Sequence, residues 1–272
     1  MINIYLSFLV GNAHPTFAPQ AIAHLNFMTH SEVSIIIPTL NESGFLQRTL
    51  NNLTLLNPPP QEILVVDGGS KDNTCKIAKE TGITLLVSEQ AGRSIQMNLG
   101  AKAATGKLLC FLHADTIVPD DLIAIVDRTL ANPTVAGGGF ISLMGGKEQT
   151  RWGTSLHNYL KTYYGSLIFR PHLFFRGLRI LFGDQAMFCR RDDFWRCGGF
   201  DPELPIMEDA DLCLKLCRYG KIYLVNRIVQ SSDRRVAKLG WLKANLVYLY
   251  IGFLWAIGVD ATYLKQFYDD IR

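Results

Sequence analysis

Lys107-Leu108-Leu109-Cys110-Phe111-Leu112 runs straight into His113-Ala114-Asp115-Thr116. An apolar run of this length reads as a buried strand, and the polar residues after it stand at the strand's C-terminal end. In open α/β sheets ligands bind along that edge. A carboxylate delivered there, with an imidazole two residues before it, suits a metal or a phosphate-bearing ligand.

The same grammar repeats upstream. Val33–Ile37, stopped by Pro38, reads as a first buried strand. Glu62–Val66 reads as a second, running into Asp67-Gly68-Gly69-Ser70, and Ile83–Val87 as a third. Helices are predicted over Asn41–Asn52 (capped by Asn41 or Ser43), Asp72–Thr81 and Arg93–Thr105, with Pro58-Pro59-Pro60 as a rigid linker. Strands apolar on both faces, alternating with helices, predict an α/β fold with a mostly parallel sheet flanked by helices. Parallel topology then gathers three polar strand ends on one edge. There Pro38 and Leu40, with Thr39 between them, can flank a base. Glu42 can bond ribose hydroxyls, Asp67 can accept from a base N–H, and Gly69 lets backbone come close.

The second half is less regular. Gly137-Gly138-Gly139 and Gly145-Gly146 punctuate a strand expected at Phe140–Met144. Residues 151–182 are rich in aromatic and basic types. A strand over Asp184–Arg190, a short helix over Asp192–Arg196, a helix over Asp209–Tyr219 and a strand over Ile222–Val225 follow. Residues 32–235 read as one domain, with a nucleotide-binding half at 32–120 and a second half at 121–235.

The 272 residues, 48% hydrophobic and 19% charged, suit a globular chain with a large core. A net charge of +3 is too small to imply nucleic acid. Six scattered cysteines without a C-x-x-C pair read as reduced thiols of a cytosolic protein. Residues 1–31 read as a poorly ordered extension, with Met28 as an alternative start. Met1–Val10 is apolar, but no Lys or Arg precedes it as a secretory signal would require. Segment 236–272 reads as helical. Within it 242–259 is apolar but too short, in its uninterrupted part, to span a bilayer. It is either a packed helix or one lying on a membrane surface.

The chain has no G-x-x-x-x-G-K-[ST], and no G-x-G-x-x-G follows the first strand, so phosphates must be handled by a metal, by cations or by both. Asp115 is the candidate ligand for Mg²⁺ or Mn²⁺. Arg93 at a helix start and the pair Arg234-Arg235 are the candidate cations; as plain surface charges they would be unremarkable. Glu208, Asp209 and Asp211 crowd another helix start. The dipole alone favours acids there. However, the constrained Gly198–Pro205 loop can aim Asp209 into a cleft as a general base, its proton affinity raised by its neighbours.

Taken together, these motifs resemble family 2 glycosyltransferases, which have the GT-A fold. Ile35–Glu42 looks like their opening strand and nucleotide loop, and Val65–Thr74 like their second motif. His113-Ala114-Asp115 stands at their D-x-D metal motif. Gly198-Gly199-Phe200 with Glu208-Asp209-x-Asp211-Leu212 resembles their acceptor-side motif. Gly92–Gly100, Phe111–Thr116 and Gly183-Asp184-Gln185-Ala186 look like a bacterial subfamily associated with radical-SAM partners and arsenosugar biosynthesis.

The resemblance implies inverting transfer from a nucleotide-diphosphate sugar, UDP-linked if Asp67 pairs with a pyrimidine. Asp209 would be the base, and Asp115 with a divalent cation would sit at the diphosphate. Asp184, Glu208 and Asp211 fall on the acceptor side, which the resemblance places in the half 121–235, with the stretch 151–182 expected to line it. The acceptor would be a small molecule or lipid, met in the cytoplasm or at its membrane face through 242–259. His113 replaces the usual first Asp, so His113→Asp is expected to be tolerated or to tighten metal binding. A sugar-phosphate nucleotidyltransferase would need Arg and Lys in a Gly-rich first loop, which Pro38–Gly44 lacks. A non-catalytic nucleotide-sugar binder is the other alternative.

Overall fold

The computed structural model describes residues 31–145 and 150–269. The extension before Ser31 and the position of Gly146 lie outside the described residues, as do the side chains of Arg235, Trp241 and Asp269. The first half alternates as expected: β1 (Val33–Thr39), α1 (Leu46–Leu53), β2 (Glu62–Asp67), α2 (Thr74–Glu80), β3 (Thr84–Val87), α3 (Arg93–Ala103) and β4 (Leu108–Phe111). Their strands pair in parallel in the order β3-β2-β1-β4.

Helix α1 begins well after Asn41. Asn41 has φ 56°, a left-handed conformation. Its neighbours are tied across to the loop before α2 instead of capping a helix. The N–H of Asn41 donates to Ser70 Oγ (2.8 Å), that of Glu42 to Thr74 Oγ1 (2.8 Å) and that of Ser43 to Asp72 Oδ2 (3.0 Å). The polar residues read as caps thus zip two loops of the sheet edge together.

The second half holds β5 (Thr116–Ile117), α4 (Leu122–Leu130), β6 (Val135–Gly145), α5 (Trp152–Phe169), α6 (Pro171–Phe175), a 3-10 turn (Gly183–Gln185), β7 (Met187–Arg190) and α7 (Arg191–Arg196). After these come α8 (Glu208–Leu216), β8 (Lys221–Ser232), α9 (Arg234–Leu239), α10 (Trp241–Ala256) and α11 (Ala261–Asp269). The eight strands form one sheet ordered β3-β2-β1-β4-β7-β6-β8-β5. β7 is antiparallel to β4 and β6, and β5 to β8. Parallel pairings prevail in the first half, and the whole sheet is mixed.

Three expectations are corrected here. Gly137–Gly139 lie inside β6 rather than before it, because the strand needs that bareness. A Cβ on Gly138 would lie 2.7 Å from both Tyr223 O and the Phe188 ring. The strand expected from Asp184 starts at Met187, since residues 183–185 coil and Ala186 takes φ 46°. Residues 152–175 form two helices that the pattern had not revealed.

Successive residues of β1 serve opposite faces. Ile35 and Ile37 join Val65, Leu122, Val126 and Phe140 on one side. Ile36 joins Met97, Phe111, Phe194 and Phe200 on the other. Helix α3 lies flush on β1 and β2: a Cβ on Gly100 would come within 2.5 Å of Ile36 Cγ2. A third cluster, Ile206, Ile251, Ala261 and Leu264, ties α10 and α11 to the loop before α8.

Candidate active site

A cleft of about 940 Å³ opens where β1 and β4 end. Its walls include Pro38, Thr39, Leu40, Glu42, Arg93, His113, Asp115, Asp184, Glu208, Asp209 and Arg234, so most candidates from the sequence meet in one cavity. Asp67, Gly69 and Asp211 are not among its lining residues. The side chain of Arg235 lies outside the described residues.

Asp67 is fully buried. Its Oδ2 accepts from the N–H groups of Gly69 (2.9 Å) and Ser70 (2.7 Å), and its Oδ1 from Thr39 Oγ1 (3.1 Å). Burial works to raise its pKa, but the hydrogen bonds from Ser70 and Gly69 outweigh that and hold the carboxyl below its usual range. The residue read as a base contact is, in this arrangement, the pin of its own turn. Gln96 on α3 reinforces the pin, its Nε2 donating to Thr39 O and Val66 O, each at 2.7 Å.

On the phosphate side, Arg234 forks onto Glu42, with Nη1 2.8 Å from Oε2 and Nη2 2.6 Å from Oε1. The same Nη2 stands 3.4 Å from Asp115 Oδ2. The start of α9 is thereby clamped to the first loop and to the end of β4, three segments distant in sequence. Glu42, expected to meet ribose, is occupied by this fork.

Arg93 does not stand apart as a phosphate cation. Its Nη1 lies 2.9 Å from Glu208 Oε1 and 3.8 Å from Asp209 Oδ2. Burial works against its charge, but Glu208, Tyr268 and Asp209 outweigh that and keep it protonated. Met207, at φ 66°, turns the chain so that α8 begins with both carboxylates facing inward. Asp209 is buried. Desolvation first, and the Glu208 charge second, push its carboxyl up to about 8 against the pull of Arg93 and a Gly183 N–H. Asp211 points elsewhere and pairs with Lys215 at 2.7 Å.

His113 packs against the 3-10 turn. A Cβ on Gly183 would lie 2.2 Å from His113 Nε2 and 3.0 Å from Asp209 Oδ2, so imidazole and base share the space that this glycine leaves. Beyond them the cleft takes in residues the sequence had not marked. Lys161 on α5 holds its ammonium 3.6 Å from the centre of the Phe182 ring, and burial pulls that ammonium down to about 8 with Asp184 opposing. Tyr248 from α10, with Lys265 and Tyr268 from α11, completes the far wall. Such residues carry no local motif; only the fold of the C-terminal helices over the cleft brings them in.

Among the described residues no group of three or more His, Cys, Asp and Glu can hold a metal. The donor set at the end of β4 is one carboxylate, Asp115. That fits a hard divalent cation bound jointly with diphosphate oxygens and water, rather than an ion caged by protein alone.

Known proteins resemble this chain in sequence and in fold. The chain is 26% identical to a PGL/p-HBAD biosynthesis glycosyltransferase of Mycobacterium tuberculosis over 79% of its own length and 80% of that protein. It is 32% identical to the glycosyltransferase AglE of Haloferax volcanii over 47% of its length and 43% of AglE. The chain thus spans under half of that relative, and its match to an uncharacterised glycosyltransferase of Rickettsia conorii covers 34% of that protein. In structure it resembles the mannosyltransferase PcManGT of Pyrobaculum calidifontis, solved with GDP-Man and Mn²⁺ (TM-score 0.62, 20% identity, covering 84% of this chain and 64% of that one). It also resembles the M. tuberculosis glucosyl-3-phosphoglycerate synthase, solved with Mn²⁺, UDP and phosphoglyceric acid (TM-score 0.60, 19% identity, covering 84% and 78%). These likenesses show the GT-A fold. The family profile described as glycosyl transferase family 2 matches residues 34–196, from the first strand through the helix after β7, and with that match over more than half its length the chain belongs to glycosyl transferase family 2.

Proposed function

We propose that the chain transfers a sugar, with inversion, from a nucleotide-diphosphate donor to a hydroxyl or carboxyl acceptor. One observation carries the reading: a buried carboxylate with raised proton affinity, Asp209, shares a cleft with Asp115 at the β4 end. A base of this kind is matched to taking a proton near neutral pH. With a hydroxyl acceptor, Asp209 accepts the proton while the acceptor oxygen attacks the anomeric carbon. The bond to the diphosphate breaks on the opposite face, and its electron pair leaves with the nucleotide. No covalent sugar–enzyme intermediate is needed, so one base suffices.

Asp115 would hold a divalent cation together with the donor, and such an ion offsets charge developing on the leaving diphosphate. Relatives solved with UDP and Mn²⁺ and with GDP-Man and Mn²⁺ support the donor class and the ion. Arg234 stands where it can exchange Glu42 for a phosphate, which would release Glu42 toward ribose. His113 and Asp184 face the sugar and acceptor side. A uridine donor is the preferred member of the class, and a cytoplasmic site of action fits both the donor and the six unbridged thiols. The motif spelling at Gly92–Gly100 and Gly183–Ala186 supports the arsenosugar-associated subfamily, so acceptors from that biosynthesis belong in the screen.

The test is hydrolysis and transfer with UDP-, GDP- and dTDP-sugars, with and without Mn²⁺. Turnover of one donor, dependent on the ion and lost in Asp115→Ala, is expected. Absence of turnover with every donor and either Mn²⁺ or Mg²⁺ would remove the transferase reading.

A further inference from the structure

Helix α5 is built inside out. Its buried residues are Thr154, Ser155, Asn158, Thr162 and Ser166, a stripe of small and polar side chains at helical spacing. Its outward residues include Trp152 (72% exposed), Leu156, Leu160, Leu167 and Ile168 (73% exposed). A helix of a water-bathed surface shows the reverse order. Helix α10 is apolar on its outer side as well as its inner one. Leu242, Leu246, Leu249, Phe253 and Ile257 form one exposed stripe, while Ala244 and Ile251 are buried and Asn245 is half-buried.

Polar contacts join the two helices on their inner sides. Asn245 donates to Thr154 Oγ1 (3.1 Å) and meets His157 Nδ1 (2.8 Å). On the outer side the exposed rings of Phe169 and Phe253 touch, with centroids 5.8 Å apart, so the two apolar stripes run into one another. Phe175 of α6, 79% exposed, lies six residues beyond Phe169. An apolar face spread over three helices exceeds what scattered surface residues account for.

Charge identifies the occupant. Residues 150–183 and 234–259 contain no acidic residue; of their nine basic ones, Lys161 and Arg234 turn into the cleft and Arg151 pairs with Asp233. The apolar face is therefore carried entirely by segments without a carboxylate, although the whole chain has a net charge of only +3. Arg176 and Lys243, both exposed, belong to these segments. Aromatic and aliphatic side chains accompanied by cations alone are the composition of an interfacial helix surface. Among the described residues no helix is long and apolar enough to cross a membrane, so the helices would lie in its plane.

We infer that the outer face of α5, α6 and α10 seats the protein on an anionic lipid surface. The cleft reaches these same helices through Lys161 and Tyr248, so seating the face would bring the cleft to the headgroup layer. The inference stands on exposure and charge and does not depend on the transfer chemistry.

Co-sedimentation of the full chain with phosphatidylcholine vesicles, with and without phosphatidylglycerol, tests it. Binding to the anionic vesicles that weakens in high salt is expected. The double variants Ile168→Glu/Leu246→Glu and Arg176→Glu/Lys243→Glu should each weaken it about tenfold or more while keeping the thermal transition and any donor hydrolysis of the parent. Failure to bind any vesicle would overturn the inference. So would binding that the apolar variant leaves intact. Sedimentation velocity covers the rival occupant: a dimer that Ile168→Glu/Leu246→Glu dissociates, in a chain that ignores vesicles, would make the face an interface between copies and overturn the inference as well.

Discussion

Asp209 and His113 meet at Gly183, where a side chain would strike both. The placement changes what substitutions there do. Asp209→Asn removes the proposed base, and a loss of about 10²–10⁴-fold in kcat is expected. The same change should stabilise the fold. The Asp209 carboxyl holds its proton in the native state from the ordinary carboxylate range up to about 8, so native protein binds more protons than unfolded across that window. Stability therefore falls as pH climbs through it, and the amide abolishes that dependence. Thermal melts at pH 5 and pH 8 should show the variant gaining on the parent more at the higher pH, by about 1–3 kcal/mol.

In the parent, kcat/KM should rise with pH through neutrality as the base ionises. His113→Asp, which motif comparison alone would expect to be tolerated, now places a further carboxylate near Asp209. A further rise in the Asp209 pKa follows, and the pH–rate profile should shift to the alkaline side. A profile that stays in place would mean the new carboxylate turns away toward Asp115.

Helices and strands were legible wherever their apolar pattern pointed inward. β1, β2 and β4 are apolar on both faces because helices cover both, and the sequence states this directly. Helix α5 was not legible, because its leucines face out and its threonines face in, so a pattern rule assigns it the wrong burial. The aromatic stretch read as cleft lining divides accordingly. Asn158, Lys161 and Phe182 reach the cleft, whereas Trp152, Leu156 and Ile168 face away from it. β8 was read as four residues because its alternation is broken where its register against β6 shifts, after Phe140. Of the candidate site, strand-end motifs located the cleft wall made by Pro38–Glu42, His113 and Asp115, while the wall made by α10 and α11 had no motif to announce it.

That wall can be tested as an element. Leu264 is fully buried against the cluster that holds Ile206, two residues before Glu208. Leu264→Ala should cost about 2–5 kcal/mol in denaturant unfolding. It should also lower kcat more than it raises donor KM, since it loosens the loop that aims Asp209 and leaves Pro38–Glu42 untouched.

At the scale of the molecule, one sheet joins a parallel half that gathers strand ends to a mixed half that supplies the acid cluster. The Arg234 fork binds the two halves together across the cleft. Without a donor the chain thus acts as its own electrolyte, with an arginine already neutralised where a diphosphate would sit. Under the proposed function, donor capture would exchange one ion pair for another rather than fill a bare cationic hole, and few mobile ions would need to leave. Donor KM should accordingly change little between low and high ionic strength. Arg234→Ala, which leaves Glu42 and Asp115 facing the diphosphate unshielded, should make donor KM both higher and salt-sensitive, improving as added salt screens the repulsion. A cleft that carries its own counterion trades long-range attraction for selectivity: an anion gains entry only by out-competing the geometry of a bidentate carboxylate.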